Sequence, residues 1–148
     1  MIIENLNQMK EFAIKLAQNL KDGDVVRLDG DLGAGKTTLV TFIGDYFNIK
    51  NVTSPSFSIV NIYNGDKDIY HLDLYRFEDE DEILDIDFET YFYPDSAISF
   101  VEWAEKAESY LPEDMINIKI EKLDGDRRKI TLGSENEREA LINESFSN

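Results

Sequence analysis

The sequence predicts an α/β protein built on an open, mainly parallel sheet, three layers deep, with antiparallel hairpin additions. Three observations predict it. A short β-branched stretch, "DVVRL" at 24–28, runs directly into the glycine-rich "GDLGAGKTT" at 30–38 and then into an apolar pattern of helical spacing. Helical and strand patterns keep alternating downstream, the order that builds a parallel sheet with its ligand at the carboxyl ends of the strands. Two pairs of apolar runs, each split by a polar turn, supply the hairpins.

Each element has its own signal. Met9, Phe12, Ala13, Leu16, Ala17 and Leu20 form one helical face, with Asn5 or Asn7 available as cap and an end near Gly23. After the glycine-rich loop, "KTTLVTFIGDYF" carries Leu39, Val40, Phe42, Ile43, Tyr46 and Phe47 at near-helical spacing. A polar connection containing Pro55 follows. "FSIVNIY" and "IYHLDLY" flank "NGDKD", which predicts a hairpin with Asn64 and Gly65 in its turn. The acidic run "EDEDE" at 78–82 precedes Ile83, Ile86, Tyr91 and Phe92, which roughly suit a helix face. Acids are favoured at a helix start by the dipole, so the run reads as a solvated helix start ahead of a metal or partner site. "AISFVEW" at 97–103 is a further strand, and "AEKAESYL" is helical or turn-like until Pro112. "MINIKIEKL" and "RKITLGS" make a second hairpin around "DGD". The last helix is expected from Ser134, where Glu137 completes a capping box, and includes Ala140, Leu141 and Phe146.

Composition narrows the function. The 148 residues suit one domain, 1–148, large enough to bury its own core without disulfides. Cysteine is absent, which removes thiol chemistry and fits a reducing compartment. No apolar run approaches a membrane span and no basic segment leads an apolar one at the start, so the expectation is a cytoplasmic protein. A net charge of −16, from 31 acidic against 15 basic residues, weighs against sequence-independent binding to nucleic acid, which draws on Lys and Arg contacts to phosphates.

"GDLGAGKTT" fits the phosphate-binding spacing G-x-x-x-x-G-K-[ST], with Gly30, Gly35, Lys36 and Thr37 in the fixed places. The strand before it and the helix after it are the context this P-loop requires. Gly33 and Gly35 let the backbone reach positive φ and turn N–H groups toward an anion. Asp31, Leu32, Gly33, Ala34, Gly35, Lys36, Thr37 and Thr38 are therefore the expected nucleotide cradle, at the positive end of a helix dipole. Lys36 would meet the outer phosphates, and the Thr37 hydroxyl would ligate Mg²⁺.

Such a loop needs an acid for the metal, held at the end of a buried strand. "AISFVEW" delivers Glu102 in that position, making it the expected Mg²⁺ partner. In "IYHLDLYR", alternation sets His71, Asp73 and Tyr75 on one face, and Tyr70, Leu72 and Leu74 on the other. Asp73 is a candidate for orienting the attacking water or holding the ion through water; a paired structural carboxylate is the alternative. His71 reads first as a hydrogen-bonded strand residue. Arg76 suits either transition-state charge or pairing with nearby acids. Trp103 is expected on the opposite side of the strand, in core packing.

Together "GDLGAGKTT", "VTSPSFSI", "HLDLYR" and "FVEW" resemble the TsaE family, formerly YjeE, of small bacterial P-loop ATPases needed for the N6-threonylcarbamoyl modification of tRNA adenosine. The resemblance implies a P-loop NTPase fold, ATP and Mg²⁺ as ligands, and slow hydrolysis. It implies that Thr53, Ser54 and Ser56 sit in a nucleotide-sensing switch, with Ser56 where the family often has threonine. Asp73 and Glu102 match its functional acids, alongside Lys36. A first-helix threonine near the base is often present in the family, and Met9 or its neighbours stand there. "GDRR" resembles a basic turn near the base, which points to Arg127 or Arg128. The implied partners are the TsaB and TsaD proteins, with tRNA reached only through them, in keeping with the acidic charge. A small-molecule kinase is the competing reading, though the chain has only five arginines for a lid. A GTPase fits less well, because no N-K-x-D motif is present.

Overall fold

Val26 and Leu28 project to one side of strand β2 (Val25–Asp29) and Val25 to the other, and all three are buried. A strand apolar on both faces belongs in the middle of a covered sheet. The computed structural model, which describes residues 1–52 and 59–147, places it there. Among the described residues the sheet has seven strands, in the order β1 (Ile2–Ile3), β7 (Arg128–Leu132), β6 (Ile116–Lys122), β2, β5 (Ala97–Glu102), β4 (Asp68–Asp73) and β3 (Val60–Tyr63). Its centre, β6, β2, β5 and β4, is parallel throughout. The antiparallel additions are β3 on β4, and β7 on β6. The expected parallel sheet with hairpins is thus what forms.

One face of the sheet carries the long helices α1 (Leu6–Asn19), α2 (Lys36–Tyr46) and α4 (Glu137–Phe146). Phe12, Leu16, Leu39, Ile43 and Ile142 close there over Val26, Leu28, Ile98 and Phe100. Each side chain of this size buried from water stabilises the fold by roughly 1.5–3 kcal/mol. The other face is roofed by short pieces: a 3₁₀ helix (Glu80–Asp85), α3 (Phe88–Phe92) and a second 3₁₀ helix (Ala104–Tyr110). Ile83, Phe92, Ala104 and Ala107 pack there on Val25, Leu72, Leu74 and Val101. No helix among the described residues is long and apolar enough to cross a membrane.

Several local expectations are corrected. The short strand β1 (Ile2–Ile3), which the sequence did not announce, pairs with β7. Helix α1 is capped by Asn5, whose Oδ1 accepts from the Gln8 amide at 2.9 Å, but it stops at Asn19, before Gly23. The first hairpin keeps Asn64 and Gly65 in its loop, yet neither has the positive φ of a tight two-residue turn. Gly65 is needed for space: a Cβ there would strike the Phe47 carbonyl and Ile49, where the Asp66 amide docks on Phe47 O at 2.7 Å. The acidic run does open a helix, with Asp79 and Glu82 forming a reciprocal cap. The helix is 3₁₀, however, and extended backbone at Ile86 separates it from α3. Finally, α4 is capped by Asn136 with Glu139, not by Ser134 with Glu137. The reason is tertiary: buried Glu139 spends Oε2 on the Asn117 amide of β6 at 2.9 Å, leaving Oε1 for the amides of Glu135 and Asn136.

Helix α4 also clamps the start of β2. Arg138 donates from Nε to Asp24 Oδ1 at 2.9 Å and from Nη2 to Asp24 Oδ2 at 2.7 Å, and Nη2 reaches the Asn19 carbonyl. Asp24 Oδ2 accepts the Lys21 amide as well. Planar two-point pairing of this kind is the strong form of a charged hydrogen bond.

Candidate active site

The loop from β2 to α2 has the backbone its glycines allow. Gly33 lies at φ 81° and Gly35, the residue before the helix, at φ 116°, both in the left-handed region that side chains disfavour. The Ala34 amide closes a turn on the Asp31 carbonyl at 3.0 Å, leaving Asp31, Leu32 and Gly33 exposed at the rim while Ala34 is buried. Leu32 is 96% exposed, so its side chain contributes nothing to the core. Lys36, Thr37 and Thr38 form the first turn of α2, whose leading N–H groups have no partner within the helix.

Lys36 turns back across this loop and is nearly buried. Its Nζ donates to the Gly30 carbonyl at 2.6 Å, lies 3.6 Å from Glu102 Oε1, and sits 5.0 Å from the centre of the Trp103 ring. An ammonium over an indole face is favourable, and more so away from water. Sequence reasoning missed this contact. Trp103 does pack against the second core, as expected, but its positive φ of 57° ends β5 and turns the chain into the 3₁₀ helix beside Lys36. Tyr75 lies against the same indole, 5.0 Å between ring centres.

Alternation explains how the acids arrive. Along β5, Ile98 and Phe100 fill the helix-bearing core, so Glu102, two further on, emerges on that same side at the end of the strand. Parallel pairing sets Asp73 opposite Glu102 and His71 opposite Phe100. The structure therefore brings Lys36, Asp73 and Glu102 together, as the sequence suggested, and adds His71. The His71 ring is fully buried, with Nε2 2.6 Å from Glu102 Oε2, so it is a hydrogen-bonded strand residue whose partner is the expected metal acid. Asp73 Oδ1 accepts the Tyr75 amide at 2.9 Å, turning the chain as it leaves β4. Burial pushes the Asp73 carboxyl above its ordinary range, the Tyr75 amide opposes this, Glu102 raises it further, and Lys36 pulls it down.

A cavity of about 470 Å³ opens beside Lys36 at the carboxyl ends of β2 and β6, lined by Leu28, Gly30, Trp103, Ile120 and Lys122 among others. Arg128, one of two arginines singled out in the sequence, reaches the loop from β7 and donates from Nε to the Ala34 carbonyl at 2.7 Å. Arg127 points away, paired with Glu4 and Asp124. Met9 is buried in α1 close to Gly35. Thr53, Ser54 and Ser56 lie outside the described residues.

A strand, a glycine loop at positive φ and a helix led by lysine, with an acid from the neighbouring strand, define a P-loop protein of the three-layer α/β class. The fold is similar over 99% of this chain, and 92% of the other, to the crystal structure of Bacillus subtilis YdiB, with a TM-score of 0.83 and 32% identity. The family described as threonylcarbamoyl adenosine biosynthesis protein TsaE matches residues 3–130. A tRNA threonylcarbamoyladenosine biosynthesis protein TsaE from Bacillus subtilis is 39% identical over 145 residues, covering 97% of this chain and 90% of its own. Its Haemophilus influenzae counterpart is 41% identical over 145 residues, covering 94% and 89%. The chain belongs to the TsaE family, whose members take part in forming threonylcarbamoyladenosine in tRNA.

Proposed function

We propose that this chain binds ATP with Mg²⁺ at the β2–α2 loop, hydrolyses it slowly, and uses that cycle to act on a complex of TsaB and TsaD, so that tRNA is modified without touching the chain directly. One observation carries the reading: Lys36 at the head of α2 lies 3.6 Å from Glu102 at the end of the neighbouring strand, over a loop whose glycines sit at positive φ. The donor set also fits the ion. Thr37 and Glu102 offer hard oxygens, one hydroxyl and one carboxylate, and Mg²⁺ takes few protein ligands beside phosphate and water. When bound, the ion would neutralise charge on the outer phosphates.

The chain's own residues supply the rest. The loop and first-turn amides donate to phosphate oxygens, with the helix dipole favouring the negative charge. Lys36 exchanges the Gly30 carbonyl, which its Nζ meets at 2.6 Å, for a phosphate oxygen. Glu102, at the end of β5, would share the ion with the Thr37 hydroxyl. Asp73, whose burial raises its proton affinity, accepts a hydrogen bond from the attacking water and orients it. Positioning and electrostatics of this kind give only slow turnover without a further cationic group.

The test is to mix the purified chain with TsaB and TsaD, with and without ATP, and follow association and the fate of labelled γ-phosphate. Nucleotide-dependent association with release of inorganic phosphate is expected. No association in any nucleotide state, or label carried to a small acceptor, overturns the proposal in favour of a kinase.

A further inference from the structure

The one histidine of the chain, His71, grips Glu102 in a way that defines its ring. Its Nε2 is 2.6 Å from Glu102 Oε2, and its Nδ1 is buried without a hydrogen-bond partner among the described residues. An ionised carboxylate oxygen only accepts. Nε2 therefore carries the proton and donates it, and Nδ1 is the bare lone pair. The opposite tautomer would set two lone pairs against each other across the short contact and bury an N–H with no acceptor, the rarer and more damaging kind of orphan.

The consequence falls on Glu102. It is almost wholly buried, so neither oxygen relies on bulk water. Oε2 belongs to His71, while Oε1 lies 3.6 Å from Lys36 Nζ, longer than a direct hydrogen bond. We infer that His71 is a positioning residue: through Nε2–H it fixes the rotation of the Glu102 carboxylate, so that Oε1 alone is presented to Lys36 and to the cation. This rests on the reading of Glu102 given above. Its magnitude follows from metal sites in general, where losing the partner that orients a ligand weakens the metal by about 10–100-fold.

Two variants separate orientation from packing. His71→Phe keeps an aromatic ring at this position without a donor, and His71→Gln keeps an N–H able to reach Glu102. ATP affinity is measured with Mg²⁺ and again in chelator. His71→Phe is expected to lose about 10-fold or more of the affinity that Mg²⁺ adds, with binding in chelator unchanged, while His71→Gln retains most of it. Equal Mg²⁺ enhancement in wild type and His71→Phe overturns the inference. Nitrogen NMR of the lone imidazole in the wild-type chain is a check that needs neither variant nor metal. The Nε2–H form is expected, and the Nδ1–H form or a mixture of the two overturns the inference. A wild-type affinity that ignored Mg²⁺ would instead overturn the metal reading of Glu102, and the ring tautomer would still decide whether His71 holds the carboxylate.

Discussion

Two buried charge clusters sit at opposite ends of β2, and they are built to different standards. At the start of the strand, Arg138 and Asp24 are saturated: the guanidinium makes two parallel bonds to the carboxylate and a third to the Asn19 carbonyl, and the carboxylate takes the Lys21 amide besides. Beyond the other end, Lys36 and Glu102 stand 3.6 Å apart, the ammonium is shared with a carbonyl and an indole, and one His71 nitrogen has no partner among the described residues. Breaking a buried pair strands the remaining charge at a cost of several kcal/mol. The first cluster therefore locks α4 to the sheet, and the second, looser one can change partners when an anion arrives.

The contrast can be broken from either side. The largest effect belongs to Lys36→Ala, which should slow ATP turnover by about 10²–10³-fold, the scale of losing one positioned donor to developing charge. Steady-state phosphate release checks it, and because Glu102 keeps its bond to His71 when the ammonium is lost, the melting temperature should fall less than for the next variant. A fall in melting as large as that of the next variant would mean the second cluster is structural too. Arg138→Met should destabilise by about 3 kcal/mol, since Asp24 stays buried without its cation, seen as a melting shift of about 6–10 °C. Its ATP affinity, measured well below that temperature, should match wild type.

Smaller changes sharpen the picture. Asn136→Ala removes the cap that sets where α4 begins and should cost about 1 kcal/mol in urea unfolding, whereas Ser134→Ala should stay within about 0.5 kcal/mol. The smallest stability effect is expected from Asp73→Asn. Folded Asp73 holds its proton more tightly than an ordinary carboxyl of 3.8, so its favourable contribution is present below that pH and fades as pH rises through the folded value. At neutral pH the amide should therefore raise the melting temperature slightly, by at most about 2 °C because water screens this half-buried group. The gain should vanish as pH falls toward 3.8. A gain that grew in acid would contradict the direction of the shift.

Much of this was legible because it obeys short-range rules. Strand, glycine loop and lysine-led helix are contiguous, the end of an apolar run places Glu102 at the tip of its strand, and period-two alternation sets Asp73 on the face that His71 shares. What escaped depends on distant partners. Nothing local in "HLDLYR" says that His71 will meet an acid 31 residues away, a meeting set by the β4–β5 register. Trp103 under Lys36 needed a left-handed residue at a strand end, which no glycine or asparagine advertised. The cap of α4 moved two residues because a strand had already claimed Glu139. The 3₁₀ roof on the second face was read as helix, since acids favour both kinds of start.

The grip of Arg128 on Ala34 joins parts of the chain 94 positions apart. The same guanidinium holds the carbonyls of Gly125 and Arg127 in the bend of its own hairpin. One planar side chain thus spans from an exposed bend of the hairpin to the lip over which the phosphates would lie.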